Sequence, residues 1–466
     1  MRRLRALLLG ASLAPWLAGC GDVAAQPIGA PAGDAGESGV SPDGGASQDG
    51  PTGDGPLPGD GSDFCSGHGP IPLPGSGECT GDLAHVFRFA ACACDSLAVS
   101  GALVTDSFDS STDGGSSLSG GASIAANGQV ATNAQSTVGG SVWAGGAALA
   151  SGVPAVSLTS PAGVTSSVAV DVQSGGDVTV DGTFLVGRDL YADGDVTLQS
   201  GSLSVVGSVH VPAGDTANGV TSGGGIVDGP VKVPLPCDCS KPVGIAAIVA
   251  AHQASNDDSA ISLAATGLDS PSAPVTLPCG QYYVDGIHGG AVELDVTGRA
   301  ALYVDGDVNV DGGLTIALAS GTELDLFVAG NVELEGATSL GNVDAPAHMR
   351  LYVGGATVTL SANAAVGANV YAPGADVQLA SNYEMWGALF AQSLQFSGDF
   401  TIHYDVSVLQ EPGCAPPGTS CSTCDDCAGA TPACKAGTCT ACVTDSDCCA
   451  PLTCDSATGR CQLPIE

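Results

Sequence analysis

From about Ser111 to Gln410 the chain repeats one device: two to four β-forming residues alternate, then a Gly, Asp, Asn or Ser turn follows. Gly176-Asp177-Val178-Thr179-Val180 and Gly194-Asp195-Val196-Thr197-Leu198 show the unit, and Gly201-Ser202-Leu203-Ser204-Val205 continues it. A period of two gives each strand one apolar face. The turns come every five to eight residues, closer than in a sandwich. A longer repeat lies on top. An aromatic precedes a turn at Tyr303, Phe327, Tyr352, Tyr371 and Phe390, with spacings of 24, 25, 19 and 19. A rung of that length fits one coil of a parallel β-helix. Inward Val, Leu and Ile would fill a narrow core, aromatics would stack in a column, and Gly or Asn would turn the corners. The predicted fold is all-β: a parallel β-helix (solenoid) over 111–410 with a small disulfide-rich C-terminal module. About 300 residues at about 22 per coil make about 13 or 14 coils, a rod some 65 Å long.

Two segments depart from the pattern. Solenoid ends need covers. Residues 64–110, with Cys65, Cys79, Cys92 and Cys94 beside His85-Val86-Phe87-Arg88-Phe89, read as a disulfide-containing N-terminal cap. Further on, Cys237-Asp238-Cys239-Ser240-Lys241-Pro242 leads into VGIAAIVAAHQASNDD. Pro242 suits a first helical turn, and Ile245, Ile248, Val249 and His252 share a face at helix spacing. This predicts a helical insert near 243–253 lying on the solenoid, with His252 at the boundary of its face. Together with Cys279 the insert holds three cysteines, so one partner lies elsewhere. Cys414 is a candidate, although spacing alone does not fix pairing.

Residues 411–466 are the cysteine module: Cys414, Cys421, Cys424, Cys427, Cys434, Cys439, Cys442, Cys448, Cys449, Cys454 and Cys461. An iron–sulfur site on Cys421, Cys424 and Cys427 would need a C-x3-C-P continuation that is missing. A zinc site has thiols but no nearby histidine. Disulfides suit a short segment with almost no core. The vicinal Cys448-Cys449 pair resembles knottin and dickkopf-like frameworks, which implies a rigid binding or protease-resistant knob.

At the other terminus, Arg2, Arg3 and Arg5 precede a short apolar run from Leu7 to Leu17, ending in Leu17-Ala18-Gly19-Cys20. This resembles a bacterial lipobox. It implies a signal peptide at 1–19 and lipidation of Cys20, and Gly21 in place of Asp favours the outer membrane. Residues 20–63 are mostly Gly, Pro, Asp, Ser and Ala. They have too little apolar surface to offset the entropy of ordering and read as a disordered tether. Roughly 40 such residues span about 35 Å.

Charge narrows the partners. The chain carries 48 acidic and 11 basic residues, a net −37, with 13% charged and 4% aromatic residues. Such a field repels nucleic acid and anionic headgroups. The expected partners are the membrane through acylated Cys20 and a surface glycan or envelope protein.

Catalytic signals are weak. Asp193 with Asp195, and Asp305 with Asp307 and Asp311, are candidate acids for sugar cleavage, yet they sit at corners where Asp is common. His348 and Arg350 form the one close basic pair of the repeats. Asp305, Asp307, Asn309 and Asp311 begin like a calcium loop, but Val310 stands where Gly is required and no Glu closes it. Weak calcium binding is the most they suggest, and no other cofactor is expected.

The stretch Val370-Tyr371-Ala372-Pro373-Gly374-Ala375-Asp376-Val377, then Trp386-Gly387-Ala388, then His403-Tyr404-Asp405 resembles an uncharacterised domain of secreted and pilus-associated bacterial proteins. That domain's text runs YAPxAxV, GxxxGAI and a closing HYD. The resemblance covers roughly 280–410 and departs in the middle element. It implies an extracellular β-solenoid and no established reaction. His403-Tyr404-Asp405 is then expected to pack and hydrogen-bond the final coil. The tether and serial cysteines look like those of myxobacterial lipoproteins. The expected role is that of a lipid-anchored structural or adhesive envelope protein without catalysis; a lyase or hydrolase acting on polysaccharide is the alternative.

Overall fold

The computed structural model describes residues 61–71, 86–111, 117–118, 121–240, 242–360 and 364–410, and within the tail 433–435, 438–444, 447–448, 453–455 and 460–462. Thirty-three short strands join in one sheet that winds as a parallel β-helix. Each coil has three sides. In one coil Val172–Ser174 forms the first side, and Val178–Val186 bends to form the other two. The bend falls at Gly182, whose φ is 114°, and a Cβ there would run into the Ser160 carbonyl. Only glycine meets both demands.

Register selects the core. On one side Tyr282, Leu302, Leu326, Leu351, Val370, Leu389, Ala91, Ile124, Val142, Val172, Leu190, Val209 and Ile226 stack in line. On a second side the row is Ile287, Val308, Val332, Val358, Val377, Leu394, Leu97, Val130, Val156, Val178 and Val196. Each rung therefore adds similar apolar side chains to a narrow lumen. Burying one Val or Leu fully stabilises the fold by about 1.5–3 kcal/mol.

Spatial order is not chain order. Ala91–Ala93 lies between Ile124–Ala126 and Leu389–Phe396. Ser96–Val99 lies between Gln129–Thr132 and that same C-terminal strand. Leu103–Phe108 lies between Ser136–Val138 and Phe400–Asp405. The solenoid path thus begins in mid-rod and builds outward to Gly225–Asp228. It then crosses back and restarts at Val275–Leu277, building inward until its last coil meets its first. Over residues 91–108 this corrects the reading of 64–110 as a cap, while Cys65 is bonded to Cys279 beside the edge strand Gly280–Val284. Residues 91–108 form a central coil, and the solenoid spans 91–228 and 275–405. The Ala-rich Ala91-Cys92-Ala93 rung carries little of the Val and Leu signal that marks the other coils, so it does not stand out in sequence.

The crossover is fastened along its length. A helix occupies Ile245–His252 and buries Ile245, Ile248 and Val249. Disulfides join Cys92 to Cys237 and Cys94 to Cys239, and a third joins Cys65 to Cys279. The insert's cysteines therefore pair with those upstream of residue 96, which corrects the expected partner, Cys414. Loops of 145 and 214 residues are closed. In the chain-entropy view each such closure contributes about 5 kcal/mol, and the second bond of the neighbouring pair adds far less because it closes nearly the same loop.

In the tail, Ala433–Lys435 pairs with Thr438–Thr440 and Thr453–Asp455 with Arg460–Gln462, placing Cys434 opposite Cys439 and Cys454 opposite Cys461. Cys442 bonds Cys454, and Cys434 and Cys448 are also disulfide-bonded. Cys20 with residues 1–60, and Cys79, Cys414, Cys421, Cys424, Cys427 and Cys449, lie outside the described residues.

The rod's ends differ. At one end Asp257 and Asp258 accept the backbone N–H groups of Gln281 and Tyr283 at 2.8 and 2.9 Å, so the edge strand Gly280–Val284 is covered. At the other, Gly225–Asp228 is exposed throughout, with Ile226 51% exposed.

Candidate functional site

One position beyond the first lumen row, side chains point outward. The row reads Tyr283, Tyr303, Phe327, Tyr352, Tyr371, Phe390, Cys92, Ala125, Trp143, Gln173, Tyr191, His210 and Val227. The first nine are buried, although they lie outside the lumen. The crossover covers them. His252 stacks on Tyr303 at 3.8 Å, Tyr303 on Phe327 at 5.2 Å and Phe327 on Tyr352 at 4.5 Å. The Tyr371 hydroxyl accepts the Val243 N–H, Cys92 is bonded to Cys237, and the Trp143 indole donates to the Pro234 carbonyl. Asn127 exchanges two 2.9 Å hydrogen bonds with the backbone of Cys237. Strands such as Ala300–Val304 are consequently buried on both faces, and this accounts for their continuous apolar runs.

Past Trp143 the seal stops. Gln173, Tyr191 and His210 are half-buried and Val227 is exposed. Between this row and residues 229–233 runs a polar groove of about 600 Å³. Tyr191 and His210 stack at 4.4 Å, 9° from parallel. Arg188 holds Asp171 with both guanidinium branches, its Nε at 2.9 Å, and Lys232 stands on the opposite lip. The Asp171 hydrogen bond raises the Arg188 pKa further, and burial followed by the Asp189 charge raises that of Tyr191.

A second cluster sits at the junction of the halves. His403 Nδ1 is 2.6 Å from Asp106, its Nε2 is 3.0 Å from Glu384, and its ring stacks on Trp386 at 4.9 Å. The Tyr404 hydroxyl donates to the Phe87 carbonyl at 2.5 Å. Asp405 accepts from the N–H and hydroxyl of Ser110 at 3.0 and 2.6 Å. His403 thus grips the first coil, and Tyr404 and Asp405 the residues that flank it. The Asp106 hydrogen bond, opposed by burial and aided by Glu384, raises the His403 pKa above 6.5.

The other candidates are engaged in the stack. Asp195 accepts from the Thr216 N–H and hydroxyl, and Asp307 from the Asn331 N–H at 2.7 Å. Asn309 reaches Glu333 at 3.4 Å, while Asp193, Asp305 and Asp311 are exposed. Asp305, Asp307 and Asp311 do not converge as ligands. Among the described residues the group of Cys, His and acidic ligand atoms that does converge is Cys442, Cys448 and Cys454, all disulfide-bonded. Arg350 is buried between Asp325 at 2.5 Å and Glu323 at 2.7 Å, and His348 ends the short turn Pro346–His348. Arg299 donates to the carbonyls of Phe64 and Gly69.

Sequence reasoning missed Gln173, Tyr191 and His210, along with Asp106 and Glu384. The first three come into line only through register; their spacing of 18 and 19 residues is the signal that would have found them.

Residues 241–411 match a family described as a domain of unknown function (DUF7305). The match starts at the crossover and ends just past the last coil. It therefore covers the half of the rod built inward and stops where the first coil docks. No curated protein and no solved structure matches the chain.

Proposed function

We propose that the protein is a lipid-anchored, envelope-exposed rod with a structural or adhesive role, held to the outer membrane through acylated Cys20. The observation that carries this reading is the central coil, paired on both sides and stapled to the crossover by two disulfides. Such bonds persist in oxidising compartments, and a rod so closed supplies reach and resistance to proteases. The tether and the cysteine module flank the rod as a spacer and a knob. A surface glycan or another envelope protein is the partner, and weak calcium binding at exposed carboxylates is an accessory property. A polysaccharide lyase or hydrolase is the second reading, favoured by the groove that holds Asp171, Arg188 and Tyr191.

Cell fractionation with and without Cys20→Ser tests the proposal. The native chain should take up labelled fatty acid and stay with the outer membrane, and the variant should do neither. A native protein found in the cytosol with reduced cysteines would overturn it. Release of shortened sugars from envelope polysaccharide, read by mass spectrometry, would establish the enzymatic reading instead.

A further inference from the structure

We propose that the groove between Gln173, Tyr191 and His210 and residues 229–233 is a binding site for an uncharged oligosaccharide. This deepens the adhesive reading above and rests on it. The outward row is sealed from Tyr283 to Trp143 and left open only over its last four rungs. Those rungs are where the row's polar groups, an amide, a phenol and an imidazole, are no longer buried beneath the crossover as the earlier tyrosines are. Three rung spacings of about 4.8 Å make a slot of about 14 Å, the length of a short sugar chain.

The lining suits sugar hydroxyls. The Gln173 amide, the Tyr191 hydroxyl and the His210 ring nitrogens both donate and accept. The ring bodies and the flanking Val231 and Val233 offer apolar surface for C–H groups. A few convergent polar groups on such a lining are what a small-ligand site requires. Charge also points here. Of the basic residues between Ser111 and Gln410, Arg299 and Arg350 are spent on backbone carbonyls and buried acids. Arg188 and Lys232 both line this groove, and Lys241 lies outside the described residues. Asp171 neutralises Arg188, and a second carboxylate, Asp189, stands beside Tyr191 and Arg188, so two acids offset Arg188 and Lys232 and the groove presents hydrogen-bonding atoms without a net cation. The chain's net −37 meanwhile disfavours polyanions.

Titration calorimetry and saturation-transfer NMR on the full soluble chain, with Cys20 replaced, would use cellohexaose, maltohexaose, chitohexaose and hexagalacturonate. At least one uncharged hexamer should bind saturably. Tyr191→Ala should weaken that binding at least tenfold and Tyr191→Phe by less, with both variants keeping the native disulfides and circular dichroism spectrum. Binding of hexagalacturonate alone, an unchanged affinity in folded Tyr191→Ala, or binding by no member of the set would overturn the assignment. If Tyr191→Ala did not fold, Gln173→Ala would carry the same test. The fractionation above is independent of it: a protein that reaches the envelope yet binds no sugar loses this site and keeps its place as a rod.

Discussion

Along the rod from Tyr283 to Trp143 the outward row lies under the crossover, and from Gln173 to Val227 it meets solvent. The coils beneath are alike, with the same lumen rows and the same three sides. What differs is the second layer. Where the crossover lies against the sheet, the row is mostly aromatic and both faces of strands such as Ala300–Val304 are buried. Where it stands off, the row is polar and a groove remains. Two ion pairs make the same contrast. Arg350 with Asp325 is almost fully buried, while in the other pair the Arg188 side chain is 49% exposed over a buried Asp171. The stacked rungs supply length, and the covering layer determines which part of that length is sealed and which can meet a ligand.

The strongest way to break the contrast is to release the cover. Replacing both Cys92 and Cys94 by Ser should remove about 5 kcal/mol and open residues 229–243 to limited proteolysis, read by denaturation and peptide mapping. Replacing Cys94 alone should remove much less, because Cys92–Cys237 still closes nearly the same loop.

Next come the ion pairs. Arg350→Met strands two buried carboxylates and should destabilise by about 3–5 kcal/mol. Arg188→Met strands one buried carboxylate, Asp171, which keeps the Asp189 N–H as a donor, and should cost less, about 1–3 kcal/mol. Equal effects in urea unfolding would erase the distinction between the halves. The row itself allows the same comparison: Phe327→Ala should lose about 3–5 kcal/mol of packing, and Tyr191→Ala should lose much less.

The smallest effect is at the junction. The raised pKa of His403 means that its grip on Asp106 and Glu384 is fully present below pH 6.5, the ordinary histidine value. That contribution is lost as pH rises through the folded-state pKa. The melting temperature of the native chain, measured across that range, should carry a downward component that His403→Gln lacks.

Much of the rod could be read in the sequence. Period-two strands, close turns and the recurrence of Tyr303, Phe327, Tyr352, Tyr371 and Phe390 point to coils of about the right length. The recurrence does not say whether those rings face the lumen or a second layer, since Leu-Tyr-Val is apolar on both faces. Coil order was hidden for a related reason. Nearly every rung offers Val or Leu to the lumen, so the apolar pattern lets almost any coil stack on any other. Only unlike groups single out the partner: Cys92 and Cys94 for Cys237 and Cys239, Asp106 for His403, and Ser110 for Asp405. Those partners stand 145 to 297 residues apart, beyond the reach of any local motif. The groove followed the same rule, because Gln173, Tyr191 and His210 become neighbours only once their coils are in register.

Disulfide mapping of the non-reduced mature protein by peptide mass spectrometry tests the doubled-back path most directly. Peptides linking Cys65 to Cys279, Cys92 to Cys237 and Cys94 to Cys239 are expected. Bonds confined among Cys65, Cys79, Cys92 and Cys94, or a bond from Cys237, Cys239 or Cys279 to Cys414, would contradict it and return the first coil to the end of the rod.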